Sequence, residues 1–205
     1  MNVKIIGIGG AGGLNMINAV IDAGFEPENA VYIDTSRNGV WAAKTDNFLE
    51  IGANMFKGCG SGRNQDAARV AAELAEGEIL EVMKGADTII LLAGLAGGTG
   101  GGAIPFIASL ALDYIGAKTI AVVTTPPNIV TPVGAVEGKK SQERAEKALT
   151  NLRGVLDEES IHVIPTTKGT LATMYSDTDK LVAEKVKELL GNIDEINSED
   201  NESIV

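Results

Sequence analysis

Apolar residues along this chain fall into short runs separated by glycine-rich turns and longer amphipathic stretches. Six runs read as buried strands: Val3–Ile8 (VKIIGI), Ala30–Ile33, Phe48–Ile51, Thr88–Leu92, Lys118–Thr124 and Ile161–Ile164. They are short and rich in β-branched residues, as expected of strands covered on both faces of a parallel sheet. Helical spacing appears between them. The stretch from Leu14 ends at Gly24, a usual helix stop. One helix starts near Gln65 and is expected to turn Val70, Leu74, Leu80 and Met83 inward and Arg69, Glu73, Glu76 and Glu81 toward water. Ala103–Leu112 is an apolar helix, and a charged helix from about Val136 to Leu156 carries Ala145, Leu149, Leu152 and Leu156 inward. After a brief helical piece, Ala172–Ser176, a long helix from about Asp177 shows one stripe: Val182, Val186, Leu189, Ile193 and Ile196. Strands alternating with helices predict an α/β fold, a doubly wound and mostly parallel sheet of Rossmann type with helices on both faces. The expected organisation is a domain over residues 1–176, a long helix over 177–196 packed on it, and a polar, acidic, disordered tail over 197–205.

Three of the turns carry chemistry. Six of the nine residues from Gly94 to Gly102 are glycine, between the strand at Thr88 and the helix expected at Ala103. A strand that feeds a helix through nearly bare backbone presents unblocked N–H groups and the positive end of the helix dipole, a combination that suits phosphate. Thr99 adds a hydroxyl. Gly7-x-Gly9-x-x-Gly12 follows the first strand and matches the dinucleotide fingerprint, and Asp34 ends the second strand about where such a fold puts its ribose-holding acid. A nicotinamide dinucleotide therefore stays a candidate, although a single dinucleotide domain has no use for a second glycine loop. The third loop is Gly58–Asn64 (GCGSGRN). In a doubly wound sheet all three open on the carboxyl edge of the strands and can converge on one polyphosphate. Arg63 either adds charge there or merely solubilises the loop.

Composition narrows the partners. The 205 residues carry a net charge of −11, which argues against nucleic acid or an anionic membrane as the main partner, so a bound polyanion must be held locally. The first apolar run is too short and too broken by glycine for a secretory signal or a membrane span. One cysteine, Cys59, allows no internal disulfide and fits a reducing, cytoplasmic setting. With His162 the only histidine, and expected as a structural residue in the last strand, a Cys/His metal site is not expected.

The chain resembles the tubulin/FtsZ family of guanine-nucleotide-dependent filament proteins. AGLAGGTGGGAIP at Ala93–Pro105 is similar to that family's signature loop, GIGGAGG at Gly7 to its first phosphate loop, and GCGSGRN at Gly58 to its third; VVTTP, VEGKK and VIP follow in order. The resemblance implies that Gly9, Gly10 and Ala11 approach the phosphates. It sets Gly60, Ser61, Gly62 and Asn64 near the terminal one and has Gly97, Gly98, Thr99, Gly100 and Gly101 cradle the central ones. It assigns Glu137 to the ribose, Tyr175 to stacking on guanine and Asp179 to the guanine N1 and N2 hydrogens, a donor pair that adenine lacks. Tyr175 could instead simply pack. The implied cofactor is GTP or GDP, with magnesium as a possible companion.

Departures from the family pattern accompany the likeness. Gly13 stands where asparagine is frequent, Gly101 where Ser or Thr is, and Ala96 where glycine is. Ser141 takes the place of a nucleotide-contacting arginine, with Arg144 one turn on as an open substitute, and Thr166 replaces an asparagine. Family members continue into an acidic loop, N-x-D-x-x-D, and a second domain. Here Asn192–Asn197 has a related shape but continues the apolar stripe and is expected to be helical. The expectation is thus a guanine-nucleotide-binding protein, weak or inactive alone in hydrolysis, that caps or modulates filaments of a full-length relative. The alternative is a self-assembling GTPase that uses another acid, such as Asp194, Glu195 or the tail.

Overall fold

A computed structural model describes residues 2–127, 135–167, 170 and 173–202; for 135–137 and 193–202 the description is of backbone alone. The six expected strands are present: β1 (Val3–Ile8), β2 (Ala30–Asp34), β3 (Phe48–Glu50), β4 (Thr88–Gly94), β5 (Lys118–Thr125) and β6 (Ile161–Pro165). They form one sheet in the order β3-β2-β1-β4-β5-β6, and every neighbouring pair is parallel. That order reverses direction between β1 and β4, which opens a crevice at their carboxyl ends.

The period of two along each strand divides the interior into two cores. Ile6, Ile8, Ile89, Leu91 and Val123 face one side, against α3 (Gln65–Leu74), α4 (Glu76–Met83), α5 (Gly98–Ser109) and α6 (Ala135–Arg153). Ile5, Ile90, Leu92 and Val122 face the other, against α1 (Ile17–Asp22) and α7 (Met174–Glu202). A short helix, α2 (Ala53–Phe56), precedes the third glycine loop. His162 lies in β6, half-buried. Burial lowers its pKa, with Lys185 adding to that and Glu188 opposing it.

Several expectations need correcting. The helix expected from Gln65 to Met83 is two helices broken at Ala75, and the break rotates the inward face. Ala68, Ala71 and Ala72 are buried, whereas Val70 is 44% and Leu74 73% exposed. The small residues let α3 lie close against α5, and that proximity decided which face turned inward. The helices also begin earlier than their apolar stretches. A π-helical segment, Gly10–Met16, leads into α1, and α5 starts at Gly98, so glycines expected as loop are the first turns of helices. The last helix begins at Met174, absorbs the expected piece at Tyr175, and runs on to Glu202, past the end expected at Ile196. Val182, Val186 and Leu189 pack on the sheet as the stripe predicts; the side chains of Ile193 and Ile196, like Ala172, lie outside the described residues.

Candidate functional site

The carboxyl ends of the strands carry one cleft of about 390 Å³, within the ordinary range for a small-molecule site. Segments after β1, β2, β4, β5 and β6 all reach it, as do α6 and the first turns of α7. The three glycine turns therefore share one site. At the first, Gly9 has φ 72, and a Cβ there would stand 2.8 Å from the Gly100 nitrogen. Gly10, beside it, has open space. At the second, Gly97 precedes α5 with no side-chain cap, so the N–H groups of Gly98, Thr99 and Gly100 have no acceptor within the helix. Such a terminus favours an anion by about 0.3–2 kcal/mol.

The third turn is fastened to the second. A Cβ on Gly98 would lie 2.2 Å from the Ser61 Oγ and 2.8 Å from the Arg63 Cα, so only glycine admits the loop there. Thr35, fully buried, makes the tie. Its carbonyl accepts from Gly60 N–H at 3.1 Å, its hydroxyl accepts from Ser61 N–H at 3.0 Å, and that hydroxyl lies 2.7 Å from the Thr99 Oγ1. Cys59 pairs with Ser36 in an antiparallel bridge that anchors the same loop. Arg63 lines the cleft from a left-handed conformation, φ 65. Nothing in the sequence marked Thr35, because one threonine after a strand carries no pattern.

The far end of the cleft differs in kind. Tyr175 stands 51% exposed in the first turn of α7, and Asp179, one turn on, lines the cleft with it. Burial pushes the Asp179 carboxyl up to about 6. From α6, Arg144 reaches back to the central turn, where its Nε donates to the Ala96 carbonyl at 2.9 Å and its Nη2 to the Ser141 Oγ at 2.9 Å.

A family model described as "Tubulin/FtsZ family, GTPase domain" matches residues 2–158. The chain belongs to this family. It is 38% identical over 176 residues to the cell division protein FtsZ of Mycoplasmopsis pulmonis, a match that spans 86% of this chain and 42% of that protein. Among solved structures it is similar to the empty FtsZ dimer of M. jannaschii, at 30% identity and a TM-score of 0.78 over 92% of this chain and 54% of that one. The GTPγS-bound protofilament of CetZ2 from Haloferax volcanii shares the fold, at 21% identity and a TM-score of 0.78 over 93% of this chain and 58% of that one. The chain spans about half the length of these relatives.

Most residues singled out in the sequence meet in the cleft: Gly9, Gly10, Ala11, Gly60, Ser61, Gly62, Gly97, Gly98, Thr99, Gly100, Ser141, Tyr175 and Asp179 all line it. Four stand differently. Asn64 does not line it; its side chain caps α3, accepting from Ala67 N–H at 3.0 Å. Gly101 is buried in packing, since a Cβ there would lie 2.2 Å from the Gln65 Nε2 and 2.3 Å from the Leu95 carbonyl oxygen. Asp34 reaches the cleft wall but is only 4% exposed, its carboxylate taking bonds from the Tyr32 hydroxyl at 2.9 Å and from Thr35 N–H at 2.7 Å. The side chain of Glu137 lies outside the described residues. Asp34 thus already serves as an internal acceptor, and membership of the tubulin/FtsZ family displaces the nicotinamide reading.

Proposed function

We propose that this chain is a guanine-nucleotide-binding GTPase domain that acts in filament assembly. The convergence of three bare-backbone turns on one cleft, with a half-exposed tyrosine and a carboxylate at its far end, carries the reading. Phosphates lie across the amides of Gly10 and of Gly98–Gly100, and Gly60–Gly62 closes over the terminal one. Arg144, tied to Ser141, supplies the cation that the family places at position 141. The base lies against Tyr175, with its N1 and N2 hydrogens on Asp179, which accepts both only when ionised. Among the described residues no three His, Cys, Asp or Glu side chains gather to hold a metal. No helix among the described residues is long and apolar enough to cross a membrane.

Isothermal titration against GTP, GDP, ATP and NAD tests the reading. It requires heat with the guanine nucleotides and little with the other two; a response to NAD alone would defeat it. Assembly is read by sedimentation with GTP. Self-assembly gives a pellet and phosphate release that rises more steeply than protein concentration. Capping, the finer expectation, gives no pellet alone and shortens filaments of a full-length relative when added in small amounts.

A further inference from the structure

Two carbonyl oxygens of the central turn, those of Leu95 and Gly97, are held from outside the cleft. Gln65, the first residue of α3 and only 8% exposed, is not among the residues that line it. Its Nε2 donates to the Leu95 carbonyl at 2.8 Å and to the Gly97 carbonyl at 3.1 Å, which also accepts from Gly101 N–H at 3.3 Å, and lies 3.3 Å from the Arg144 carbonyl. The carbonyl between those two, that of Ala96, accepts from Arg144 Nε. Gly94, one step earlier, has its carbonyl bonded by Gly97 N–H at 3.1 Å. Every carbonyl from Gly94 to Gly97 thus has a donor within the protein.

A trans peptide unit is planar, with its C=O and N–H pointing opposite ways. Holding the Leu95 and Gly97 carbonyls toward α3 therefore turns the Ala96 and Gly98 amides toward the other side, where the cleft lies. We propose that Gln65 is a positioning residue that sets the polarity of the central turn, presenting amides to an anion and keeping carbonyl oxygens away from it. The bare backbone of Gly101 and Gly102 makes room, since a Cβ at Gly102 would stand 2.2 Å from the Gln65 carbonyl oxygen and one at Gly101 the same distance from its Nε2. Gly101, expected to touch phosphate, serves the clamp instead. Neither of the near-isosteric side chains can replace the carboxamide here. Glutamate would set a carboxylate against two carbonyl oxygens, and methionine has the length but no donors.

The inference deepens the nucleotide reading and rests on it for its consequence, and two measurements keep the two apart. In the wild-type protein, hydrogen-bond couplings from the Gln65 carboxamide protons to the carbonyl carbons of Leu95 and Gly97, measured by NMR without ligand, report the clamp itself; their absence overturns the proposal. In Gln65→Met and Gln65→Glu, GDP affinity is expected to fall by about tenfold to hundredfold, the glutamate variant more. Binding of guanosine, which has no phosphate to meet the turn, should change less than twofold. Amide exchange should rise in residues 95–101 and stay unchanged in β1 and β5. A GDP affinity within twofold of wild type, or equal proportional losses for GDP and guanosine, overturns the proposal. If the wild-type protein ignores guanine nucleotides, the functional reading falls while the couplings still decide the clamp; if neither variant folds, they alone decide it.

Discussion

Acidification from pH 7 to pH 5 is expected to weaken guanine nucleotide binding through Asp179. Its pKa of about 6 arises from burial, which disfavours the charged form. About nine-tenths of the group is therefore ionised at pH 7 and about one-tenth at pH 5. Guanine offers two donors, N1–H and N2–H, and only the carboxylate accepts both, so binding selects the ionised form and lowers its pKa. Affinity must then fall as the pH drops through 6, by about tenfold in all between pH 7 and pH 5. The terminal phosphate of the nucleotide titrates near pH 6 as well, so the measurement is the ratio of wild-type to Asp179→Asn affinity for GDP by titration calorimetry. The asparagine variant keeps the phosphate titration and lacks the carboxylate. It should bind about tenfold to hundredfold less tightly at pH 7, where its amide hydrogens oppose a guanine donor, and the gap should close toward pH 5. Inosine diphosphate, which lacks the N2 amino group, should lose affinity against wild type and little against the variant. A ratio that stays flat from pH 5 to pH 7.5 refutes the assignment of Asp179 to the base.

Other perturbations probe the phosphate end and the packing. Thr35→Val removes the hydroxyl shared by Ser61 N–H and Thr99 Oγ1 while keeping the shape; urea denaturation should show a loss of about 1–3 kcal/mol, with weaker GTP binding. Gly98→Ala puts a methyl 2.8 Å from the Arg63 Cα, and thermal melts should show a loss of about 1–3 kcal/mol as the third loop is pushed off. Gly13→Asn, which restores the residue frequent in the family, drives a Cβ to 1.8 Å from the buried Tyr32 ring, and circular dichroism should show a far larger drop in melting temperature than for Gly98→Ala. Leu74→Glu, on the exposed face of α3, should leave stability within about 0.5 kcal/mol; a large loss would restore Leu74 to the core.

The sheet was legible because its strands announce themselves locally: Thr88–Leu92 is apolar and β-branched whatever surrounds it, and all six strands lie where such runs stand. The meeting of the three glycine turns was legible too, since a doubly wound sheet leaves them one edge to share. What stayed hidden depends on two segments at once. The inward face of α3 is made of Ala68, Ala71 and Ala72, because α5 opposite begins with glycines and lies close; a hydrophobic pattern that weights Val70 and Leu74 points the other way. Thr35 and Gln65 were missed for the same reason. Each matters only through atoms distant in sequence, Ser61 and Thr99 for one, Leu95 and Gly97 for the other.

Three departures from the family pattern, at Gly13, Gly101 and Ser141, each look like the loss of a ligand contact when taken singly, and the packing gives them a different meaning. The space of a side chain at Gly13 is filled by the Tyr32 ring, whose hydroxyl supports Asp34, the residue that orients the Thr35 amide. At Gly101 the space is taken by the Gln65 carboxamide. Ser141 in turn accepts a hydrogen bond from the guanidinium of Arg144, three residues on. In each case the vacated position and the group beside it form a pair, so restoring the family residue alone should damage the site rather than improve it. Gly13→Asn and Gly101→Ser are the decisive substitutions, because a reading based on lost contacts expects tighter GTP binding from both, whereas paired packing expects weaker binding or misfolding.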